Sequence, residues 1–134
     1  MNLTALHGYL IGFAVIGSWA IIGFWSLALR LSRYEETPTF WKAVSVAQIL
    51  LAVQLLVGLV ALVLGGRPGP PGRDGWGALL FHLSYGILSP LVVLIVAHRF
   101  ATAGRWNPHT IFALVGLVNF GLAFRAYQVG IFGP

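Results

Sequence analysis

The chain has 134 residues, of which 58% are hydrophobic and 8% are charged, and its formal net charge is +5. A soluble domain carries about 25% charged residues, so this composition excludes an ordinary soluble globule and indicates an integral membrane protein with one domain, residues 1–134. The absence of cysteine excludes disulfides, thiolate metal sites, iron–sulfur clusters and covalently attached c-type haem.

Four apolar runs predict four membrane-spanning helices, at about residues 3–31, 40–65, 76–97 and 110–131. Each run exceeds the roughly 20 residues that a helix needs to cross a bilayer core, and a lone spanning segment must satisfy its own backbone hydrogen bonds. The connectors are short and polar, which makes consecutive helices antiparallel. The predicted fold is therefore all-α, an up-down-up-down four-helix transmembrane bundle.

The first predicted helix carries His7 close to its start, and Gly8 and Gly12 give it a face of small residues. The second predicted helix has a comparable stripe of small and polar residues: Gln54, Gly58, Ala61 and Gly65. Such thin faces let helices approach closely, or let a flat cofactor lie between them, and the sequence leaves both uses open. Three amide residues are predicted to form interhelical hydrogen bonds: Gln48, Gln54 and Asn119.

The third predicted helix carries His82 inside the apolar stretch LLFHLSYGILSP. An ionisable ring in hydrocarbon must be paired, ligated or placed at a wet boundary, because an unsatisfied polar group there costs several kcal/mol. At about 100° per residue, Gly86 and Ser89 lie on the face of His82, and Tyr85 lies at a similar depth. Pro90 removes one backbone hydrogen bond and predicts a bend.

The fourth predicted helix carries Arg125 near its end. In an antiparallel bundle Arg125, His7 and His82 lie at one level, roughly 6 to 9 Å inside the same boundary. The chain offers Arg125 no carboxylate within the membrane, because its acidic residues all lie in connectors: Glu35, Glu36 and Asp74.

A b-type haem suits this layer of polar residues best. Bis-imidazole ligation needs two histidines at equal depth on helices far enough apart to admit a porphyrin, and the first and third helices of an up-down bundle are diagonal, about 14 Å apart. We therefore predict that His7 and His82 are the axial ligands of one haem b and that Arg125 pairs with a propionate. Three residues of the third helix are predicted to lie against the cofactor: Tyr85, Gly86 and Ser89.

Four antiparallel membrane helices with His7, His82 and Arg125 near one face resemble the b-type cytochromes and the haem-bearing membrane anchor subunits of respiratory enzymes. The resemblance covers the whole chain in architecture and contains no specific motif. It implies haem b, electron transfer linked to a quinone or a relay, and membership of a larger complex. Many members with two haems place two histidines 13 or 14 residues apart on one helix, whereas His82 and His98 are 16 apart, which predicts a single haem.

A structural or assembly subunit without a cofactor is the alternative hypothesis, since it needs only the helices and their thin faces. In that case His7 is an interfacial residue, His82 packs against a neighbouring hydroxyl, and Arg125 extends to lipid phosphate. His98 and His109 are interpreted as boundary residues. A transporter ranks lower because intramembrane carboxylates are absent, and a hydrolytic enzyme ranks lower still because the sequence has no histidine cluster with zinc-site spacing. We expect an electron-transfer or accessory subunit rather than a stand-alone enzyme.

The basic residues predict the orientation in the cell membrane. The first and third connectors hold five of them, Arg30, Arg33, Lys42, Arg99 and Arg105, whereas the second holds only Arg67 and Arg73. The positive-inside rule then leaves both termini outside the cytoplasm, with the His7 layer near the outer boundary. The expected partners are the lipid bilayer and either other membrane subunits or further copies of this chain, and no nucleic acid is expected.

Overall fold

The computed structural model describes residues 3–35 and 37–134. These residues form four long helices and no strand: α1 (Leu3–Leu31), α2 (Pro38–Val63), α3 (Trp76–Thr102) and α4 (Pro108–Phe132). All four are long and apolar enough to cross a membrane, which confirms the predicted all-α class. Glu36, which the sequence places in a connector, lies outside the described residues, as do Met1 and Asn2.

Helices α2 and α4 begin slightly earlier than the apolar runs because each starts at a proline that follows a capping residue. The Thr37 hydroxyl accepts a hydrogen bond from the backbone N–H of Phe40 at 3.3 Å. The Asn107 side chain accepts one from the backbone N–H of His109 at 2.9 Å. Proline suits the first helical position, where its missing N–H would have no partner within the helix.

Two helices change their pitch near their N-terminal ends. Helix α1 is π-helical over Leu6–Ile11, and helix α3 is π-helical over Ser84–Leu88, just before Pro90. π-Turns inside α-helices are rare and occur frequently at functional sites. Helix α3 then continues to Thr102, beyond its predicted end.

The most extensive helix contact joins α1 and α4. At its centre Gly23 of α1 meets Gly116 of α4 so closely that a Cβ atom on Gly116 would collide with the Gly23 backbone. Helix α2 packs on α1 and helix α3 packs on α4, while α2 and α3 share little backbone contact within the described residues. Their side chains meet at Gln48 and His98, whose Nε2 atoms are 3.4 Å apart.

The apolar core fills the half of the bundle that contains the start of α4. Trp19, Phe40 and Phe112 are fully buried there. His109, which the sequence analysis interprets as a boundary residue, is also fully buried, with its ring centroid 4.8 Å from that of Phe40. The reason is that α4 already begins at Pro108, so the first turn of the helix is covered by α2 instead of facing solvent.

The outer surface of the bundle is apolar. Only 11% of the most hydrophobic window of α2, and the same share of α3, is buried inside the chain. Large apolar side chains are exposed on every helix, among them Ile21, Phe24, Ile49, Leu56, Leu80, Leu88, Ile95 and Leu114. A monomer in water rarely exposes apolar patches of this size, and this surface is of the kind that lipid covers.

We expect Gly116→Leu to destabilise the bundle strongly. The new side chain would meet the backbone of α1 at Gly23 and the Trp19 carbonyl, which cannot move without separating the two helices. Overpacking typically lowers the free energy of unfolding by about 1 to 3 kcal/mol. We expect a value at the upper end of this range, because the new side chain would meet backbone atoms. Thermal unfolding in detergent measures the effect. Gly121→Leu on the same helix is the control, because nothing lies near that glycine and its Tm should not fall.

Candidate cofactor site

His7 of α1 and His82 of α3 meet near the N-terminal ends of their helices. Their ring centroids are 6.0 Å apart, and the ring planes are inclined at 62°. The prediction that these two residues lie at one level is confirmed by this contact. Helices α1 and α3 are not packed side by side in the described residues, so the two rings approach each other across the interior of the bundle.

The ring of His82 is fixed by helix α4. Its Nδ1 atom lies 2.9 Å from the backbone carbonyl oxygen of Ala126, and this contact requires the proton to be on Nδ1. The ring also lies against Gly130, where an added Cβ would be 3.3 Å from Cε1 of His82. With Nδ1 engaged as a donor, Nε2 is the nitrogen with a free lone pair.

The ring of His7 lies against helix α2. An added Cβ on Gly58 would be 2.6 Å from Cε1 of His7, so only glycine leaves room for the ring in this position. Gln54 donates from Nε2 to the backbone carbonyl of His7 at 3.0 Å, which confirms its predicted interhelical hydrogen bond. Nδ1 of His7 is buried and has no hydrogen-bond partner among the described residues.

The two histidines occupy similar positions in their hairpins. Each lies within or just before a π-helical segment, and each ring rests on a glycine of the following helix. The two histidines also begin similar short segments of the sequence, HGYLIG from His7 and HLSYGILSP from His82. A side chain at Gly58 would occupy the position of the His7 ring, whereas a Cβ at Gly130 would make a tight contact with the His82 ring.

A cavity of about 260 Å³ lies beside the two rings. It is lined by all four helices and by the connector between α2 and α3, which contributes Arg67 and Pro68. Small residues allow it to exist: Gly8, Gly12, Gly58, Gly86, Ala126 and Gly130. The polar residues on its wall are few, namely Thr4, His7, Tyr9, Gln54, Arg67, His82 and Tyr127. This combination of apolar walls and a few convergent polar groups is typical of ligand sites.

Not all of the predicted site residues reach this cavity. Gly86 lines it, whereas Tyr85 stacks on Phe81 with centroids 6.1 Å apart, and neither Tyr85 nor Ser89 is on its wall. The prediction for Ser89 came from a helical wheel of 3.6 residues per turn, and the wider π-segment Ser84–Leu88 shifts the residues that follow it out of that register. The prediction for Tyr85 came from its depth, which does not determine the face of the helix on which a residue lies.

Arg125 is exposed on α4 and is also absent from the cavity wall. Its Nη1 atom donates to the side-chain oxygen of Gln128 at 3.5 Å, one turn along the same helix. The arginine that lines the cavity is instead Arg67, which was predicted from the sequence only to contribute to the orientation in the membrane. Proximity in three dimensions, rather than depth along a helix, distinguishes the two arginines, and the sequence contains no signal for it.

Comparisons with protein-family models, with curated proteins and with solved structures found no match. Within residues 3–35 and 37–134, no group of three or more His, Cys, Asp or Glu side chains is placed to hold a metal ion. The donor set of the cavity is thus a pair of imidazoles, which differs from the three or four ligands of a zinc centre.

Proposed function

We propose that this chain is a multi-pass membrane protein of up-down-up-down topology that binds one b-type haem between His7 and His82 and transfers electrons through it. The single observation that carries the proposal is the 6.0 Å separation of the two imidazole ring centroids. A metal bound by two imidazole nitrogens at about 2 Å each separates the ring centres by about 6 Å. His7 and His82 would therefore hold the iron of the haem through one ring nitrogen each.

The hydrogen bond of His82 supports the same assignment. Histidines that bind metals usually donate their other ring N–H to a carbonyl or a carboxylate, which fixes the ring orientation and increases the basicity of the ligating nitrogen. His82 has such a bond from Nδ1 to the Ala126 carbonyl. His7 would ligate through either nitrogen, since its buried Nδ1 has no partner in the described part of the chain.

The size of the cavity sets a further condition. About 260 Å³ is slightly below the range of roughly 300 to 1,000 Å³ that is usual for ligand pockets, and a porphyrin needs more room. The seam between α2 and α3, where backbone contact is sparse, is the side on which the cavity can widen without separating the close α1–α4 pair. Haem binding should therefore involve a small displacement of α2 relative to α3.

Bound haem would supply reversible one-electron transfer at its iron. The residues of this chain contribute two neutral nitrogen ligands and an apolar enclosure that excludes water, including Leu51, Leu55 and Leu79. Arg67 is the arginine among the residues that line the cavity, and a positive charge close to the haem would favour the reduced state over the oxidised one.

We expect Arg67, rather than Arg125, to pair with the carboxylates of the haem. The connector that carries Arg67 is fixed beside the site by a 2.9 Å hydrogen bond from Gly69 N–H to the carbonyl of Gly130. Arg67→Gln should weaken haem binding about 10- to 100-fold, in line with the roughly 1.5 to 3 kcal/mol of a charge-assisted hydrogen bond. It should not affect binding of haem dimethyl ester, which lacks the carboxylates. Arg125→Gln is the matched control and should bind both compounds as wild type does.

The experiment that tests the proposed function is a haem titration of the apoprotein in detergent. We expect saturation at one haem per chain, with a six-coordinate low-spin spectrum and a reversible one-electron midpoint potential. If the folded apoprotein takes up no haem, the proposal fails, and the alternative of a structural subunit without a cofactor gains support.

A further inference from the structure

A second cavity lies at the opposite end of the bundle, where α1 ends and α4 begins. Its volume is about 470 Å³, and it is lined by polar residues only: Arg30, Arg33, Tyr34, Glu35 and Asn107. The haem proposal makes no use of this pocket. Two guanidinium groups and one carboxylate leave it with an excess of positive charge.

Arg33 occupies a backbone position that disfavours an arginine. Its φ of 56° makes it the single non-glycine residue with positive φ in the described part of the chain. The surrounding turn is a regular helix end, in which the N–H of Tyr34 donates to the carbonyl of Leu29 at 3.1 Å. Glycine is the usual residue at this position of such a turn, because a side chain is strained there. A strained residue that carries the charge of a pocket suggests that the charge is needed for function.

Arg30 is oriented by the other helix of the pocket. Its Nε atom donates to the hydroxyl of Thr110 on α4 at 2.9 Å, and its terminal N–H groups have no hydrogen-bond partner among residues 3–35 and 37–134. Within the described residues, this hydroxyl is the one side-chain partner recorded for either Arg30 or Arg33. The two guanidiniums thus flank one cavity, and their fork of N–H donors suits phosphate oxygens.

The position of the pocket along the apolar helices indicates which kind of phosphate it would bind. Arg30 lies in the last turn of the apolar helix α1, and Asn107 caps the start of the apolar helix α4. This is the boundary at which lipid headgroups lie, on the side that the basic residues assign to the cytoplasm. We propose that the pocket formed by Arg30 and Arg33 binds the phosphate of an anionic phospholipid.

The test compares the Tm of the protein in nanodiscs of phosphatidylcholine alone and in nanodiscs that also contain phosphatidylglycerol. For wild type we expect the anionic lipid to raise the Tm by several degrees. Arg33→Gly should lose this shift, yet should be at least as stable as wild type in phosphatidylcholine, because glycine relieves the strained backbone. Loss of the shift then reports the ligand and not a failure to fold.

Arg99→Gln is the matched control, since Arg99 lies at the same end of the bundle outside the pocket. It should keep the shift caused by the anionic lipid. If Arg33→Gly keeps the Tm shift, or if Arg99→Gln loses as much of the shift as Arg33→Gly does, the proposal is overturned. The effect of the anionic lipid would then come from the overall positive charge of this surface and not from the pocket. Inorganic phosphate added to phosphatidylcholine nanodiscs provides the last arm. If it reproduces the full shift, the ligand is a free phosphate and the lipid assignment is wrong.

Discussion

His82→Ala is expected to abolish the low-spin haem spectrum. The ring of His82 is oriented by the Ala126 carbonyl at 2.9 Å, and no other imidazole on α3 lies at the cavity to replace it. Alanine removes one axial ligand and leaves the iron with His7 alone, which gives a five-coordinate high-spin spectrum or loss of the haem. His7→Ala should have the same effect, because it leaves the iron with His82 alone. Absorption spectra of the purified variants, with the haem content measured separately, report both changes.

His98→Ala provides the comparison for these two variants. His98 is an exposed residue of the same helix, and its ring contacts Gln48, the carbonyl of Leu94 and the ring of Phe112, all away from the cavity. The low-spin spectrum should therefore be retained in full. A low-spin spectrum that persists in both His7→Ala and His82→Ala, but is lost in His98→Ala, would move the haem to the other end of the bundle.

Gly58→Leu is expected to disturb ligation without removing a ligand. A side chain at Gly58 would occupy the space of the His7 ring, because even a Cβ there would lie 2.6 Å from Cε1 of the histidine. Displacement of the ring should weaken haem binding by about 10- to 100-fold, as is typical when a group that positions a ligand is changed. The spectrum should shift towards the high-spin form. Leucine is a better helix former than glycine, so α2 itself should gain stability.

Thermal unfolding of the apoprotein separates this effect from misfolding. The Tm of Gly58→Leu should be equal to or above that of wild type while haem affinity falls. Gly77→Leu, at an exposed position near the same end of the bundle with nothing close to it, should leave both quantities unchanged. An unaltered affinity in Gly58→Leu would mean that the position of the His7 ring is irrelevant to haem binding.

The helices could be predicted from the sequence because the signal is hydropathy, which is summed over many residues. The starts at Pro38 and Pro108 were also readable, since Thr-Pro and Asn-Pro are typical of a cap followed by the first helical residue. The predicted runs missed them because they began at the first apolar residues instead. The closest contact, between Gly23 and Gly116, had no distinguishing signal among the glycines of the chain.

The depth of the candidate site residues along their helices could be predicted from the sequence, but the helix face on which each residue lies could be predicted only in part. Counting residues from the helix ends was sufficient to bring His7 and His82 to one level. The π-helical segment Ser84–Leu88 changes the angle between successive residues of α3, so a wheel with a constant angle could not assign Ser89 to the correct face. Tyr85 was predicted from its depth alone, which does not specify a face. Arg67 lies in a connector, whose path depends on tertiary hydrogen bonds such as that of Gly69 to Gly130.

The reduced-minus-oxidised absorption spectrum of the wild-type protein tests the central claim most directly. The protein is expressed with a supply of haem, purified in detergent, and measured before and after addition of dithionite. Ligation by His7 and His82 predicts a Soret band that shifts on reduction and sharp α and β bands, at one haem per chain. A folded, monodisperse preparation without these bands, or with a haem that stays high-spin after reduction, would contradict the assignment of the two histidines as ligands.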